Sequence, residues 1–596
     1  MIKKINKIAV IGSGIMGSRI ACHFANIGVE VLLLDILHKD EDNNRNKIVN
    51  EYLKNTLKSK PSPIYSKSFA NRIHTGNLED DLHKINQVDW VIEVIIENLD
   101  IKKQLFEQIE KYRKPGTIIS SNTSGIPINK MISDRSEDFC KYFCGTHFFN
   151  PPRYLKLLEI IPSQKTNSEL ISFLMSYGEK FLGKTTVLCK DTPAFIANRI
   201  GIAGIAALFK LSEELDMSVE EIDSLTGPII GRPKSATFRT SDLVGLDTLN
   251  IVAEGVYNNC LDDEQRSIFN LPSFIQKMLT NKWLGDKTKQ GFYKKERDKK
   301  GNRTILALNL KSFEYSEKKK PKFETIGKAK KINQLKKRLN ILIEGTDKAA
   351  VFYKKMFAFM FSYVAHRVPE ITEDIYKIDA AMCAGFGWEM GPFEMWDSIG
   401  FDKGIELIKN EQLSIPKWCN NMSQSSFYKI EDGSKTYYDI QKDGQNKIPI
   451  LNKIITLDNI REKSLLWKNH GVSLIDIGDN VLNIEFHTKL NSIGKDVIEG
   501  IQKGIQLGEK DFRGIVIGNQ GEHFSAGADI SMIFTLIVEQ QWTLLEEAVK
   551  TFQDTSMMIR YSNVPVVVAP HGLTLGGGCE FTLHADAVQC AAETYM

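Results

Sequence analysis

Apolar residues fall into distinct regimes along the chain. From residue 8 to about 186 they form short continuous runs, Ile8 to Ile11, Val29 to Leu34, Trp90 to Val94 and Thr117 to Ser120, separated by helical stretches. Runs of this length, bounded by turns, predict the buried parallel strands of a doubly wound α/β sheet. From about 187 to 445 the periodicity is predominantly helical. After Trp467 it turns strand-rich again. Val472 to Ile477 and Val481 to Phe486 flank Gly478-Asp479-Asn480, a hairpin signal. Gly514 to Gly518 and Val564 to Ala569 follow as further runs.

The first run leads into Gly12-Ser13-Gly14-Ile15-Met16-Gly17 and a helical pattern through Ala25, and the second run ends in Asp35. Strand, glycine turn, helix, strand and acid form the dinucleotide-binding fingerprint in its required context, a Rossmann-type domain. Gly12 permits the tight turn, Gly14 lets the backbone approach a pyrophosphate, and Gly17 lets helix and strand pack closely. The helix N-terminus offers unpaired N–H groups to phosphates. Asp35 accepts ribose hydroxyls and repels the extra phosphate of NADP, so the expected cofactor is NAD.

Composition changes this picture little. Hydrophobic residues are 42%, charged residues 25%, and the formal charge is +3, a globular balance with no demand for nucleic acid. The charge is unevenly placed. Residues 287–338 hold 19 Lys or Arg and 5 Asp or Glu, leaving about −11 on the remainder. Such a stretch reads as a solvated linker, or as a surface that attracts phosphate-rich ligands or anionic partners. Nine cysteines without a CxxC favour reduced thiols. No apolar run approaches the roughly 20 residues of a membrane span, no signal peptide is read, and no metal-ligand cluster is expected. The expected location is cytoplasmic.

The chemistry concentrates in two places. Ser121-Asn122-Thr123-Ser124-Gly125 follows a strand on the sheet that carries the glycine loop. Gly145-Thr146-His147-Phe148-Phe149-Asn150-Pro151-Pro152 is followed by Glu159. A histidine can take a hydroxyl proton near neutral pH, and a buried carboxylate on its other nitrogen would fix its tautomer. By spacing alone, an unrelated core histidine is the favoured reading of His147.

With these segments, Ile95 to Lys102 and Lys190-Asp191-Thr192-Pro193-Ala194-Phe195-Ile196-Ala197-Asn198-Arg199, residues 1 to about 295 closely resemble the L-3-hydroxyacyl-CoA dehydrogenases of fatty-acid β-oxidation. The resemblance implies that His147 is the base and that Glu159 orients it. It places Ser124 and Asn198 against the substrate, and Ser124, Glu97, Lys102 and Asn150 at the cofactor. Lys287 would reach NAD from the second domain. The substrate class implied is an acyl-CoA thioester; the assembly implied is a homo- or hetero-oligomer, with a thiolase subunit as the candidate partner.

Two units share a pattern. Asp223 and Asp242 are followed by Phe292-Tyr293-Lys294, and Asp379 and Asp397 by Phe427-Tyr428-Lys429. This reads as an internal duplication of one helical domain, the form seen in the multifunctional β-oxidation enzymes. The second copy lacks a nucleotide loop, so its expected role is structural. The C-terminal loops Phe524 to Ile530 and Gly576 to Glu580 resemble the crotonase (enoyl-CoA hydratase/isomerase) fold. By that resemblance Ala528 and Gly577 supply oxyanion N–H groups and Glu580 an acid/base carboxylate. The chain stops before the family's second glutamate, so this domain is expected to be incomplete and without hydratase turnover.

The expected division is 1–186 Rossmann domain, 187–296 helical copy 1, 297–345 basic linker, 346–445 helical copy 2 and 466–596 partial crotonase-like α/β domain. A catalytically decayed acyl-CoA-binding protein is the alternative class; the intact dehydrogenase positions argue against it. Oxidation of a different hydroxy acid is a third reading, disfavoured by the thioester-handling segment on the same chain.

Overall fold

A computed structural model describes residues 4–38, 44–297, 303–431, 433–449 and 454–596. The chain forms two compact units, residues 1–427 with 438–444, and residues 428–437 with 445–596.

The first unit opens with an eight-stranded sheet. Its strands are β1 (Lys7–Ile11), β2 (Glu30–Asp35), β3 (Ile73–Asn77), β4 (Trp90–Glu93), β5 (Ile118–Ser121), β6 (Phe143–Phe148), β7 (Leu157–Pro162) and β8 (Thr185–Leu188). Their spatial order is β3-β2-β1-β4-β5-β6-β7-β8. The first six are parallel, β7 runs antiparallel to β6, and β8 is parallel to β7. The order reverses between β1 and β4, so a crevice for a ligand opens beyond the carboxyl end of β1. The apolar runs are strands because both faces are covered: Ile8, Val10, Val31, Leu33, Val91 and Ile92 are fully buried. The helix Ile15–Asn26 buries Ile20, Phe24 and Ala25 in this core, and Phe24 meets Trp90 edge-on at 5.5 Å.

A helical region follows. Its first copy holds the helices Ala197–Glu214, Val219–Leu225, Phe238–Val244, Leu246–Asn259 and Ser273–Thr280. The second holds Lys348–His366, Ile375–Phe386, Pro392–Ile399 and Phe401–Asn410. The repeated aspartates do the same structural task in each. Asp223 accepts the N–H groups of Thr237, Phe238 and Arg239 at the start of one helix. Asp379 accepts those of Phe393 and Glu394 at the start of its counterpart. Asp242 takes the N–H of Phe292, and Asp397 that of Phe427, which ties the Phe-Tyr-Lys segments down. The recurrent spacing is therefore set by backbone groups that need a buried acceptor.

The two copies are bolted together. Gly201 leaves room for the Phe386 ring, which would lie 2.1 Å from a Cβ at that position. Arg199 is fully buried and bonds Asp263 at 2.6 Å and the Tyr363 hydroxyl at 2.8 Å, while Arg367 reaches the same Asp263 at 2.7 Å.

The stretch 297–345, expected to be a linker, is folded over much of its length; residues 298–302 lie outside the described residues. Strands β9 (Tyr293–Arg297), β10 (Arg303–Leu308) and β11 (Tyr315–Glu317) make an antiparallel sheet. The helices Glu324–Ala329 and Leu335–Glu344 follow. The second buries Leu335, Leu339, Leu342 and Ile343, a helical stripe that the dense lysines obscured in the sequence. Strands β12 (Tyr428–Glu431), β13 (Ser434–Asp439) and β14 (Gly444–Lys447) form a further small sheet.

The second unit contains a six-stranded sheet of β15 (Leu465–Lys468), β16 (Val472–Asp476), β17 (Val481–Phe486), β18 (Gly514–Ile517), β19 (Val566–Val568) and β20 (Ala587–Val588), in that spatial order. The expected hairpin joins β16 and β17, with Gly478, Asp479 and Asn480 all in the left-handed region that so tight a turn requires. Ile530, Phe534, Val538 and Trp542 stand exposed on the helices Ile530–Val538 and Trp542–Arg560.

Burial pushes the Asp242 carboxyl up to about 7, against the opposing pull of the Tyr293 and Phe292 N–H groups. The unfolded value is about 3.9. A raised carboxyl contributes its stability fully below about pH 4 and loses it as pH rises through about 7. Asp242→Asn removes this titration. Calorimetry at pH 5 and pH 7.5 should show the variant's thermal midpoint gaining on the wild type at the higher pH. A pH-independent difference would sink the assignment.

Candidate active site

His147 lies on β6 and Glu159 on β7, and the antiparallel register sets the two directly opposite each other. His147 Nδ1 and Glu159 Oε2 are 2.7 Å apart, and the residues are 5% and 0% exposed. A carboxylate only accepts, so Nδ1–H is the donor and Nε2 is left with a lone pair. Among the described residues Nε2 has no hydrogen-bond partner. The ring packs on Phe149 at 4.6 Å and Phe195 at 5.7 Å.

The other Glu159 oxygen, Oε1, accepts the N–H groups of Ile196 at 3.1 Å and Ala197 at 2.9 Å. These open the helix Ala197–Glu214, whose positive dipole end therefore faces the buried charge. The chain reaches this geometry through Ala194 and Phe195, two successive non-glycine residues at φ +62° and +51°. Burial and then the neighbouring Glu159 hold the Cys189 thiol well above its usual range. Sequence reasoning missed Phe149, Phe195 and the two backbone donors; a helix start just after Pro193 was the available signal.

Ser124 and Asn198 are both half-buried, and among the described residues neither side chain has a hydrogen-bond partner. Asn198 sits in the first turn of the helix that anchors Glu159. Ser124 donates its backbone N–H to Glu97 Oε1 at 2.9 Å, and Thr123 donates its hydroxyl to the same oxygen at 2.6 Å. Lys102, expected at the cofactor, is instead 1% exposed. Its ammonium lies 2.6 Å from Glu93 and 3.5 Å from Glu97. Glu93, which the sequence reading overlooked, ends β4 and also accepts from Ser121 and the Ile95 N–H. Burial raises its carboxyl, opposed chiefly by Lys102.

The glycine turn lies at the end of β1. A Cβ on Gly17 would stand 1.7 Å from the Gly12 oxygen, and Gly12 itself has φ +102° with Val94 behind it. Gly14 faces open space. Among the described residues the N–H groups of Gly14, Ile15 and Met16 have no acceptor, so the turn suits an anionic pyrophosphate. Asp35 accepts the Ser13 N–H at 2.6 Å, which couples the acid to the loop. Asn150 accepts from Arg19 of the adjoining helix. Lys287 stands apart from this group: its ammonium is bound to Asp247 within the helical region.

In the second unit the Phe524 to Ile530 and Gly576 to Glu580 loops meet. Ser525 bridges Thr574, and a Cβ on Gly576 would lie 3.6 Å from Gly527. Among the described residues the N–H groups of Ala528 and Gly577 have no acceptor. Glu580 is exposed, and its carboxylate has no partner among the same residues.

A doubly wound sheet with an acceptor-free glycine turn and a His–Glu pair defines a dinucleotide-dependent oxidoreductase. Residues 7–192 match the NAD-binding domain of 3-hydroxyacyl-CoA dehydrogenase, and 195–295 and 352–437 each match its C-terminal domain. Residues 476–595 match enoyl-CoA hydratase/isomerase. A probable 3-hydroxyacyl-CoA dehydrogenase of Bacillus subtilis is 44% identical, over 100% of this chain and 77% of its own length. A putative fatty acid oxidation complex trifunctional enzyme of Rickettsia felis is 33% identical, over 99% of this chain and 77% of its own. The crystal structure of 3-hydroxybutyryl-CoA dehydrogenase from Escherichia coli K12 shares the fold, with a TM-score of 0.50 and 22% identity over 69% of this chain and 95% of that one. The chain belongs to the 3-hydroxyacyl-CoA dehydrogenase family, with NAD as cofactor, and carries a crotonase-like domain besides. Among the described residues no helix is long and apolar enough to cross a membrane.

Lys102→Met strands Glu93 as a buried unpaired charge, at a cost of about 3–5 kcal/mol. A lowered thermal midpoint together with weakened NADH binding is the expected outcome, read by calorimetry and by fluorescence titration. Wild-type values in both would show that the pair supports nothing.

Proposed function

We propose that His147 Nε2 takes the 3-hydroxyl proton of an L-3-hydroxyacyl-CoA thioester. The observation that carries this reading is the 2.7 Å bond from His147 Nδ1 to a fully buried Glu159, with Nε2 unengaged. Glu159 holds the imidazole in one tautomer and stabilises the imidazolium as the proton arrives. Its second oxygen, fixed by the Ile196 and Ala197 N–H groups, keeps the carboxylate from rotating away.

Ser124 and Asn198 would hydrogen-bond the substrate near carbon 3, because each offers an unused polar side chain. Phe149 and Phe195 exclude water from the imidazole. Gly12, Gly14 and Gly17 shape the phosphate cradle, Asp35 takes the ribose hydroxyls, and Glu97 and Asn150 line the cofactor. Lys102 acts through Glu97 and Glu93 as a positioning residue. For Lys287 to reach the cofactor it would first have to leave Asp247. NAD, when bound, accepts the hydride from carbon 3. The protein's contribution is to keep the hydroxyl, the base and carbon 3 in line.

The Ala528 and Gly577 N–H groups would polarise a thioester oxygen in the crotonase-like unit, with Glu580 beside them. We further propose a cytoplasmic, oligomeric enzyme, either a homo-oligomer or a hetero-oligomer with a thiolase subunit. The name of the Rickettsia felis relative, a fatty acid oxidation complex trifunctional enzyme, supports assembly into a complex.

Purified protein mixed with NADH and acetoacetyl-CoA should consume NADH, followed by its absorbance. His147→Gln should lower kcat by at least about 10³-fold, the scale of a lost general base with its orienting partner, while NADH still binds. Near-normal turnover by the variant would remove His147 from the mechanism.

A further inference from the structure

The basic stretch that the dehydrogenase chemistry leaves unused builds a cavity. Its volume is about 690 Å³, and it is enclosed by the first helical copy and the β9–β11 sheet. Lys318, Lys319 and Lys320 reach it from the segment after β11, and Lys295 from β9. Lys234, Lys289 and Lys330 close the ring, and Tyr293 and Ile305 supply apolar surface.

These lysines are uncompensated. Eight cationic side chains face three carboxylates, and each carboxylate is already engaged. Asp286 is held by Arg239 through two bonds of 2.6 Å. Asp223 is spent on three backbone N–H groups and the Tyr293 hydroxyl. Glu220 accepts the Lys319 N–H. Among the described residues none of the seven lysines forms an ion pair; Lys318 lies 5.1 Å from the Tyr293 ring centre. Like charges gathered on a flat surface would simply be solvated. Here residues from four separate segments converge on a concavity within the roughly 300–1,000 Å³ of small-molecule sites. Its charge calls for a ligand with two or more phosphates, and its Tyr293 and Ile305 surface suits an attached base.

We propose that this cavity binds the phosphate groups of a nucleotide-type ligand. None of its lining residues belongs to the glycine turn or contacts His147. Two sources share this chemistry, the nucleotide end of a CoA thioester and a free nucleotide bearing several phosphates. The first alone rests on the dehydrogenase reading.

The test uses the full chain with NADH at saturation, so that the glycine turn is occupied. Calorimetric titration with adenosine 3′,5′-bisphosphate should report binding that weakens with salt. Lys320→Glu combined with Lys330→Glu should weaken it about 100-fold, at about tenfold per lost charge-assisted contact. The matching double arginine variant should retain it. Both lysines are exposed, and unchanged thermal midpoints check that the variants fold.

Kinetics then separate the sources. A raised KM for acetoacetyl-CoA, with that for acetoacetyl-pantetheine unchanged, assigns the cavity to the substrate's own nucleotide. Unchanged KM values for both, with the bisphosphate site lost, assign it to a separate ligand. Equal bisphosphate affinity in wild type and the glutamate variant, or no binding to either, overturns the proposal. So does displacement by single-stranded RNA as readily as by the bisphosphate, which would mark a general polyanion surface.

Discussion

The structure turns on one buried carboxylate. Glu159 has no access to solvent, and an ion so placed is tolerable only if its oxygens are met by donors. One oxygen meets His147 and the other meets the N-terminus of the helix Ala197–Glu214. A single side chain thus fixes the base to the sheet and the helical region to the base. The cost is visible in the backbone. Ala194 and Phe195 adopt left-handed conformations that non-glycine residues usually avoid, and they persist because the bonds beyond them over-determine the turn.

That helix must also be rigid, since Asn198 rides in its first turn. The second helical copy provides the rigidity without a nucleotide loop of its own. The Phe386 ring occupies the space left by Gly201, Gly385 admits Leu157 of β7, and Tyr363 and Arg367 complete the buried cluster around Arg199 and Asp263. The duplicated aspartates belong to the same economy of buried acceptors. Asp223 and Asp379 hold helix starts, and Asp242 and Asp397 hold the Phe-Tyr-Lys segments. What repeats in the sequence is a set of solutions for backbone N–H groups.

Charge placement follows a second logic. The buried cations Lys102 and Arg199 are paired, Lys102 with Glu93 and Arg199 with Asp263, while buried Lys184 meets the Pro152 and Leu155 carbonyls instead. Around the basic cavity the lysines form no ion pair among the described residues, while the nearby carboxylates are drawn into structural bonds.

The amino-acid sequence by itself determined the local units. The run Ile8 to Ile11, the spacing of Gly12 and Gly17 and the acid at Asp35 define a strand, turn and helix whose geometry is settled within 30 residues. The Gly478-Asp479-Asn480 turn is likewise a local matter, and so was legible. The tertiary structure decided the rest, because those contacts depend on register and packing between distant segments. Spacing left His147 and Glu159 ambiguous; the antiparallel pairing of β6 with β7 set them face to face. Burial moved Lys102 behind Glu97 and gave it Glu93, a partner nine residues away across a loop. The stretch 297–345 read as a linker because its charge count hid a helical stripe, and folding brought four of its lysines, Lys318, Lys319, Lys320 and Lys330, to one cavity. Sequence fixes what neighbours along the chain can do; only the packed fold selects which distant groups face each other in low dielectric, where a buried charge must find its partner.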